Sequence, residues 1–278
     1  MGGALLSFMA MAVSGRELAG QLSTFQILFF RSLIGLGVMV ALLWRMGRWD
    51  LLRTEQIGLH SLRNLIHYAG QYGWFFGLGF IPLADVFAIE FTTPVWTAIL
   101  AALILKERLT PPRLLAIGFG LVGLLIILRP GMGAVHPASL AVLGGAMGYA
   151  AAHVLTKRLA FTDSPLTIIL YMTLMQLPMG LIPSLYSWVT PTGIMWLWLG
   201  LVGVAALTAH YCLTHALKLA DATVVVPMDF LRLPLISLIG FLFYGEPLEW
   251  LILVGGGVML FGNWINIWAT RRPILQKA

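Results

Sequence analysis

The chain has 278 residues, 59% of them apolar and 10% charged, with a formal net charge of +6 and a mean hydropathy of +0.91. A soluble domain carries charge on about a quarter of its residues. Too few ions are present to cover a water-facing surface, so the excess of Lys and Arg reads as membrane-flanking charge and not as a nucleic-acid surface; the single cysteine, Cys212, excludes an internal disulfide and a cysteine metal cluster.

A membrane-spanning helix needs about 20 mostly apolar residues. Ten such stretches are predicted, at 2–20, 25–44, 62–81, 84–105, 112–129, 138–157, 165–187, 194–217, 221–244 and 248–269. Turn and charge signals separate them, as in Lys106-Glu107-Arg108-Leu109-Thr110-Pro111-Pro112 and Asp163-Ser164-Pro165. The first apolar run begins at Gly2 with no basic segment before it, unlike a cleaved secretion signal. Trp44, Trp49, Trp188 and Trp268 fall near span ends and suit an interfacial aromatic belt.

Four charges fall inside spans, where each ion costs about 2.5–3.5 kcal/mol if left alone. Arg31 lies in the second span, Glu90 in the fourth, and Asp229 and Arg232 in the ninth. Arg31 and Glu90 are each about six residues from the same membrane face, roughly 9 Å deep, and are expected to be able to meet. Asp229 and Arg232 are three apart on one helix face and are expected to be able to pair. The functional reading makes these groups substrate ligands or proton-coupling sites; the plainer one makes them ion pairs that fix helix register.

The third span carries Asn64, His67, Gln71 and Trp74 on one face. That face is expected to look into the bundle and line a cavity, or else to hydrogen-bond between helices. Tyr149 and His153 share a face in the sixth span, and His210 does so with Thr214 in the eighth. Pro94, Pro227 and Pro234 each deprive a carbonyl four residues earlier of its donor, so kinks are expected in the fourth and ninth spans. Gly73 with Gly77 and Gly144 with Gly148 suit close helix packing. No metal site is expected, because His210 and His215 lie on different sides of their helix and no H-E-x-x-H pattern occurs.

Lys and Arg gather in alternate joints. Arg45, Arg48, Arg53, Lys106, Arg108, Arg113, Lys157, Arg158, Lys218, Arg271, Arg272 and Lys277 fall on one side, against Arg16 and Arg129 on the other. The positive-inside rule then puts both termini in the cytoplasm. The chain also repeats itself. Leu83-Ala84-Asp85 recurs as Leu219-Ala220-Asp221, Glu90-Phe91 aligns with Asp229-Phe230, Glu107 with Glu246, Arg16 with Lys157 and Ser23 with Ser164. The repeats are 1–135 and 136–278. Five helices is an odd number, so the second copy is expected to insert inverted, an arrangement of secondary transporters.

The stretches from Pro94-Val95-Trp96 to Lys106-Glu107-Arg108-Leu109 and from Pro234-Leu235 to Gly245-Glu246-Pro247-Leu248 resemble the closing motif of the EamA-type repeat. The glycine-rich helices after them, and Phe29-Phe30-Arg31, resemble the same family. The resemblance implies a ten-helix member of the drug/metabolite transporter superfamily, in a bacterial inner membrane. It implies export of an amino acid or amino-acid derivative, or uptake of a larger metabolite such as S-adenosylmethionine. An integral membrane enzyme stands as the distant alternative, although no nucleophile or metal constellation is visible. The expected partners are a small-molecule substrate, the lipid bilayer and protons as a candidate coupling ion. No nucleic acid and no cofactor are expected, and the chain is read as a monomer or weak homodimer.

Overall fold

The computed structural model describes residues 2–106, 110–128, 136–220, 225, 232–247 and 250–275. Among them the regular structure is all helical, with one isolated bridge between Ala19 and Leu22. The helices are α1 (Gly2–Leu18), α2 (Thr24–Met46), α3 (Ile57–Leu78), α4 (Leu83–Glu90), α5 (Thr93–Ile104), α6 (Pro111–Leu128), α7 (Pro137–Leu159), α8 (Pro165–Ser184), α9 (Met195–Leu219), α10 (Arg232–Tyr244) and α11 (Trp250–Leu275). Among the described residues, six segments are long and apolar enough to cross a bilayer: Thr24–Met46, Leu83–Ile104, Pro137–Leu159, Pro165–Ser187, Met195–Leu219 and Trp250–Ala269. Pro111–Ile127 and Leu235–Tyr244 are shorter apolar helices.

Local chemistry sets the helix ends. Ser23 and Ser164 each accept a backbone N–H of the following first turn, from Gln26 and Thr167, and so start α2 and α8. Gly47 ends α2 in the left-handed region at φ 64°. Two differences from the sequence reading bear on the site. Helix α3 starts at Ile57, ahead of the expected Leu62. Hydropathy sees only the apolar part of a helix, and the polar first turns of α3 are held by neighbours. The fourth span is two helices, α4 and α5, interrupted at Phe91 and Thr92. Pro94 sits in the first turn of α5, where no N–H is required. The Glu90 carbonyl accepts the Thr93 hydroxyl. It is therefore satisfied locally and is not left to line a cavity.

The helices pack most extensively as α3 on α7, α6 on α11, α1 on α9 and α2 on α8, followed by α2 on α9, α5 on α7 and α4 on α10. Each pair joins a helix from the first half of the chain to one from the second. The α3–α7 seam is the tightest. A Cβ on Gly73 would strike the Ala141 carbonyl, and one on Gly77 the Val142 side chain. Gly148 likewise faces the backbone of Gly70, but a Cβ on Gly144 would meet nothing within 4 Å, and Gly145 takes its expected place at the seam. Backbones this close bring Gln71 and Trp74 of α3 beside Tyr149 of α7. Outside, large apolar side chains such as Trp44, Leu103, Phe243 and Trp264 are exposed, as a lipid-facing surface requires. Trp49, Trp188 and Trp268 are exposed as well.

Candidate functional site

A cavity of about 20 Å³ lies between the helices. It is lined by Phe8 and Met11 of α1, Arg31 of α2, Gln71 and Trp74 of α3, Glu90 of α4, Tyr149 and His153 of α7 and His210 of α9. That volume holds about one water. Both halves of the chain contribute to the wall, which is aromatic with a few convergent polar groups.

Glu90 is held from two sides. The Trp74 indole N–H donates to its Oε2 at 2.7 Å, and Arg232 Nη2 donates to its Oε1 at 3.0 Å. The Arg232 guanidinium carbon lies 4.7 Å from the Phe8 ring centroid, 5.1 Å from that of Phe87 and 6.0 Å from that of Phe91. Those ring faces favour a cation. The sequence reading allowed Arg31 to meet Glu90, but the partner of Glu90 is Arg232. An ion pair that ties α4 to α10 replaces the expected pair within the first half. Spacing along a helix gives a depth; it does not show which helix stands across the gap.

Arg31, 3% exposed, donates through Nη1 to Gln71 Oε1 at 3.1 Å and to Gln176 Oε1 at 3.3 Å. A guanidinium can only donate, so both amide oxygens turn toward it. Both amide nitrogens then face His67, donating to Nδ1 at 2.9 Å from Gln71 and 3.0 Å from Gln176. His67 Nδ1 accepts, and the ring proton belongs on Nε2. One charge thus fixes the polarity of the whole network. His67 sits edge-on to His210, with centroids 4.9 Å apart, and 5.6 Å from Tyr149.

Asn64 is drawn away from the cavity. Its Oδ1 accepts from Arg63 Nη1 at 2.8 Å, and its amide nitrogen points to the Tyr171 carbonyl at 3.4 Å. It serves interhelical bonding, so the expected stripe splits, with Gln71 and Trp74 in the cavity wall, His67 behind it and Asn64 further off. Asp229 and Pro227 lie outside the described residues, as does the expected Asp229–Arg232 pair. Pro234 is the third residue of α10, and the carbonyl it would leave without a donor, on Phe230, lies outside the described residues too.

Sequence reasoning passed over Phe8, Met11, Gln176 and Arg63. A lone Gln in the apolar 165–187 run was a usable signal. Phe8 and Met11 carry none, because aromatic and thioether side chains in a span look alike whether they face lipid or a cavity.

Two further clusters lie at opposite ends of α3. Beyond Leu78, Arg16 Nη1 donates to the carbonyls of Leu78 and of Ile81, the latter at 2.9 Å, and Nη2 bonds Glu246 Oε1 at 3.1 Å. The Glu246 carboxylate also accepts the Leu83 N–H at 2.9 Å and so caps α4. At the other end, Arg63 Nε donates to Thr156 Oγ1 at 3.1 Å, Lys157 Nζ to the Ala220 carbonyl at 2.6 Å, and His60 Nε2 meets Asp163 Oδ2 at 2.6 Å. His60 precedes the expected span. Burial holds its imidazole below the ordinary value, and Asp163 offsets part of that effect.

The EamA-like transporter family matches residues 2–129 and again 136–268. The chain belongs to that family. It is 31% identical over 248 residues to a riboflavin transporter of Vibrio cholerae, an alignment covering 88% of this chain and 83% of that protein. A riboflavin transporter of Brucella anthropi is 32% identical, with 78% of each chain covered. An S-adenosylmethionine uptake transporter of Rickettsia felis is 23% identical, covering 98% of this chain and 92% of the relative. A solved crystal structure superposes with a TM-score of 0.74 at 19% identity, covering 98% of both chains, and supports the fold alone. This EamA-like protein is a multi-pass membrane protein that transports a small metabolite.

Proposed function

We propose that this protein is a secondary uptake carrier for a planar heteroaromatic metabolite, riboflavin first, working by alternating access between two inverted halves, 1–135 and 136–278. The observation that carries the reading is the cavity wall. Trp74, Tyr149, His210 and Phe8 offer ring surface from both halves, and Arg31, Gln71 and Glu90 offer polar groups among them. Flat ring systems bind between such faces, with a few polar groups fixing orientation. The most similar curated relatives named here are riboflavin transporters.

The pairing of helices supports inversion. If α1 corresponds to α7 and α3 to α9, then α1 on α9 and α3 on α7 are one contact made twice, while α2–α8, α6–α11 and α4–α10 each straddle the axis. The contacts of Arg16 with Ile81 and of Lys157 with Ala220 are counterparts in the same sense. A cavity of about 20 Å³ cannot take a metabolite, so the helix pairs must part for one to enter. In this reading both termini are cytoplasmic, and the Arg16 end faces outward. Glu90, already bonded to Arg232 and Trp74, is the candidate for proton coupling, with Asp229 its counterpart in the second half. The amino-acid export expected from the sequence draws no support from relatives named for riboflavin and S-adenosylmethionine. S-adenosylmethionine uptake is the second reading, favoured by relatives aligned over 98% of the chain and by a carboxylate, Glu90, suited to a sulfonium cation.

Counterflow in proteoliposomes tests the reading. Vesicles preloaded with unlabelled riboflavin should transiently accumulate labelled riboflavin. Accumulation only with S-adenosylmethionine would replace the first reading by the second. Flux of either compound that never saturates would indicate a pore and sink both.

A further inference from the structure

Two arginines approach the same cavity wall, and among the described residues only one has a carboxylate. Arg232 holds Glu90 at 3.0 Å. Both Glu90 oxygens are engaged, Oε1 by Arg232 and Oε2 by Trp74. Arg31 spends Nη1 on two neutral glutamines. Its Nε and Nη2 are buried and have no hydrogen-bond partner among the described residues. Nε–H and the adjacent Nη2–H point the same way, forming the side of a guanidinium that grips two acceptors at once.

We propose that this free side of Arg31 reads a pair of adjacent acceptor atoms on the substrate, and so selects among the ring systems that fit the aromatic wall. The inference rests on the uptake reading above for its first ligand class. On an isoalloxazine the pair is a ring carbonyl with the neighbouring ring nitrogen, either O4 with N5 or O2 with N1. On an amino-acid conjugate it is a carboxylate. Gln71 and Gln176 act as positioning residues. Their oxygens hold Nη1, and their amides are in turn anchored on His67, so the plane of the fork is set before a ligand arrives. A buried donor pair discriminates strongly, because an analogue lacking one acceptor leaves an N–H with nothing to bond.

The experiment is equilibrium dialysis of the purified full-length protein against riboflavin, 5-deazariboflavin, 1-deazariboflavin and S-adenosylmethionine, repeated with Arg31→Lys. Each deaza analogue replaces one ring nitrogen by CH and keeps the shape. In the wild type, one of the two should bind about tenfold more weakly than riboflavin, the other about equally. Lysine keeps the charge but not the fork, so Arg31→Lys should bind riboflavin about tenfold more weakly and no longer separate the analogues. The wild-type comparison needs no variant to fold. Equal binding of all three flavins by the wild type overturns the fork. So does discrimination that persists in Arg31→Lys. Either result leaves riboflavin transport standing. If riboflavin does not bind but S-adenosylmethionine does, with a loss of about tenfold in Arg31→Lys, the flavin reading falls and the fork holds. Binding of neither compound overturns both.

Discussion

At the Leu78 end of α3, the two halves of the chain are clasped by Arg16 and Glu246. At the Arg63 end they meet through Thr156 and Asp163, with Lys157 set on the Ala220 carbonyl. The ends are about 22 Å apart, from fifteen residues at 1.5 Å each. The first clasp uses an arginine and a carboxylate. The carboxylate also caps α4, the helix that ends at Glu90. Breaking this clasp therefore disturbs the first turn of the helix that presents the cavity's acid. At the second end the described contacts are Arg63 with Thr156, Lys157 with the Ala220 carbonyl, and the His60 imidazole with Asp163. Glu107, the sequence counterpart of Glu246, lies outside the described residues. The two ends thus carry different chemistry, and they should respond differently to mutation and to pH.

The largest effect is expected from Glu246→Ala. It removes the carboxylate from a mostly buried pair and leaves the Leu83 N–H without its acceptor. Breaking a buried pair costs about 3–5 kcal/mol, and the partly exposed Arg16 should bring the loss toward the lower end. Thermal unfolding in detergent should show a fall of several degrees, with riboflavin counterflow lost. An unchanged melting temperature would mean that the clasp does not hold this end. Lys157→Met should cost less, with about 1.5–3 kcal/mol from its charge-assisted hydrogen bond to the Ala220 carbonyl. If Lys157→Met proved the more damaging of the two, the comparison would be reversed.

The sequence revealed this architecture unevenly, and the reasons are physical. Spans were legible because a bilayer imposes a length and an apolar composition on any helix that crosses it. The alignment of Arg16 with Lys157 was legible as a repeat, yet nothing in it said that the two would bond carbonyls at the C-terminal ends of α3 and α9. The inward face of α3 was visible in the spacing of His67, Gln71 and Trp74, since a helix keeps residues three and four apart together. That rule acts within one helix. Glu90 with Arg232, Arg31 with Gln176, and Arg16 with Glu246 all join helices far apart in the chain, and spacing does not encode which of them become neighbours. The glycines carried part of that information. Gly73 and Gly148 mark where backbones touch, but only the structure showed that Gly145, and not Gly144, shares their seam.

The smallest expected effect separates the two ends by pH. His60 donates from Nε2 to Asp163 and stacks on Tyr171 with ring centroids 4.6 Å apart, while its Nδ1 is buried with no partner among the described residues. A proton added at Nδ1 would meet no acceptor. Burial therefore lowers the folded-state value below that of the unfolded chain, helped by the Arg63 charge and opposed by Asp163. Between the two values the unfolded chain binds more protons, so stability falls as pH falls. His60 thus contributes in full above about pH 6.5, and its contribution is lost below that as pH approaches the depressed value. Melting temperatures of the wild type and His60→Gln, compared from pH 7.5 to 5.5, should show a shallower decline for the variant, because glutamine can still donate to Asp163 but cannot take a proton. Parallel curves would place the acid sensitivity elsewhere. The same scan in Glu246→Ala should keep the wild-type slope at a lower starting temperature. A change of slope there would mean that the two ends are coupled through α3 and do not respond independently.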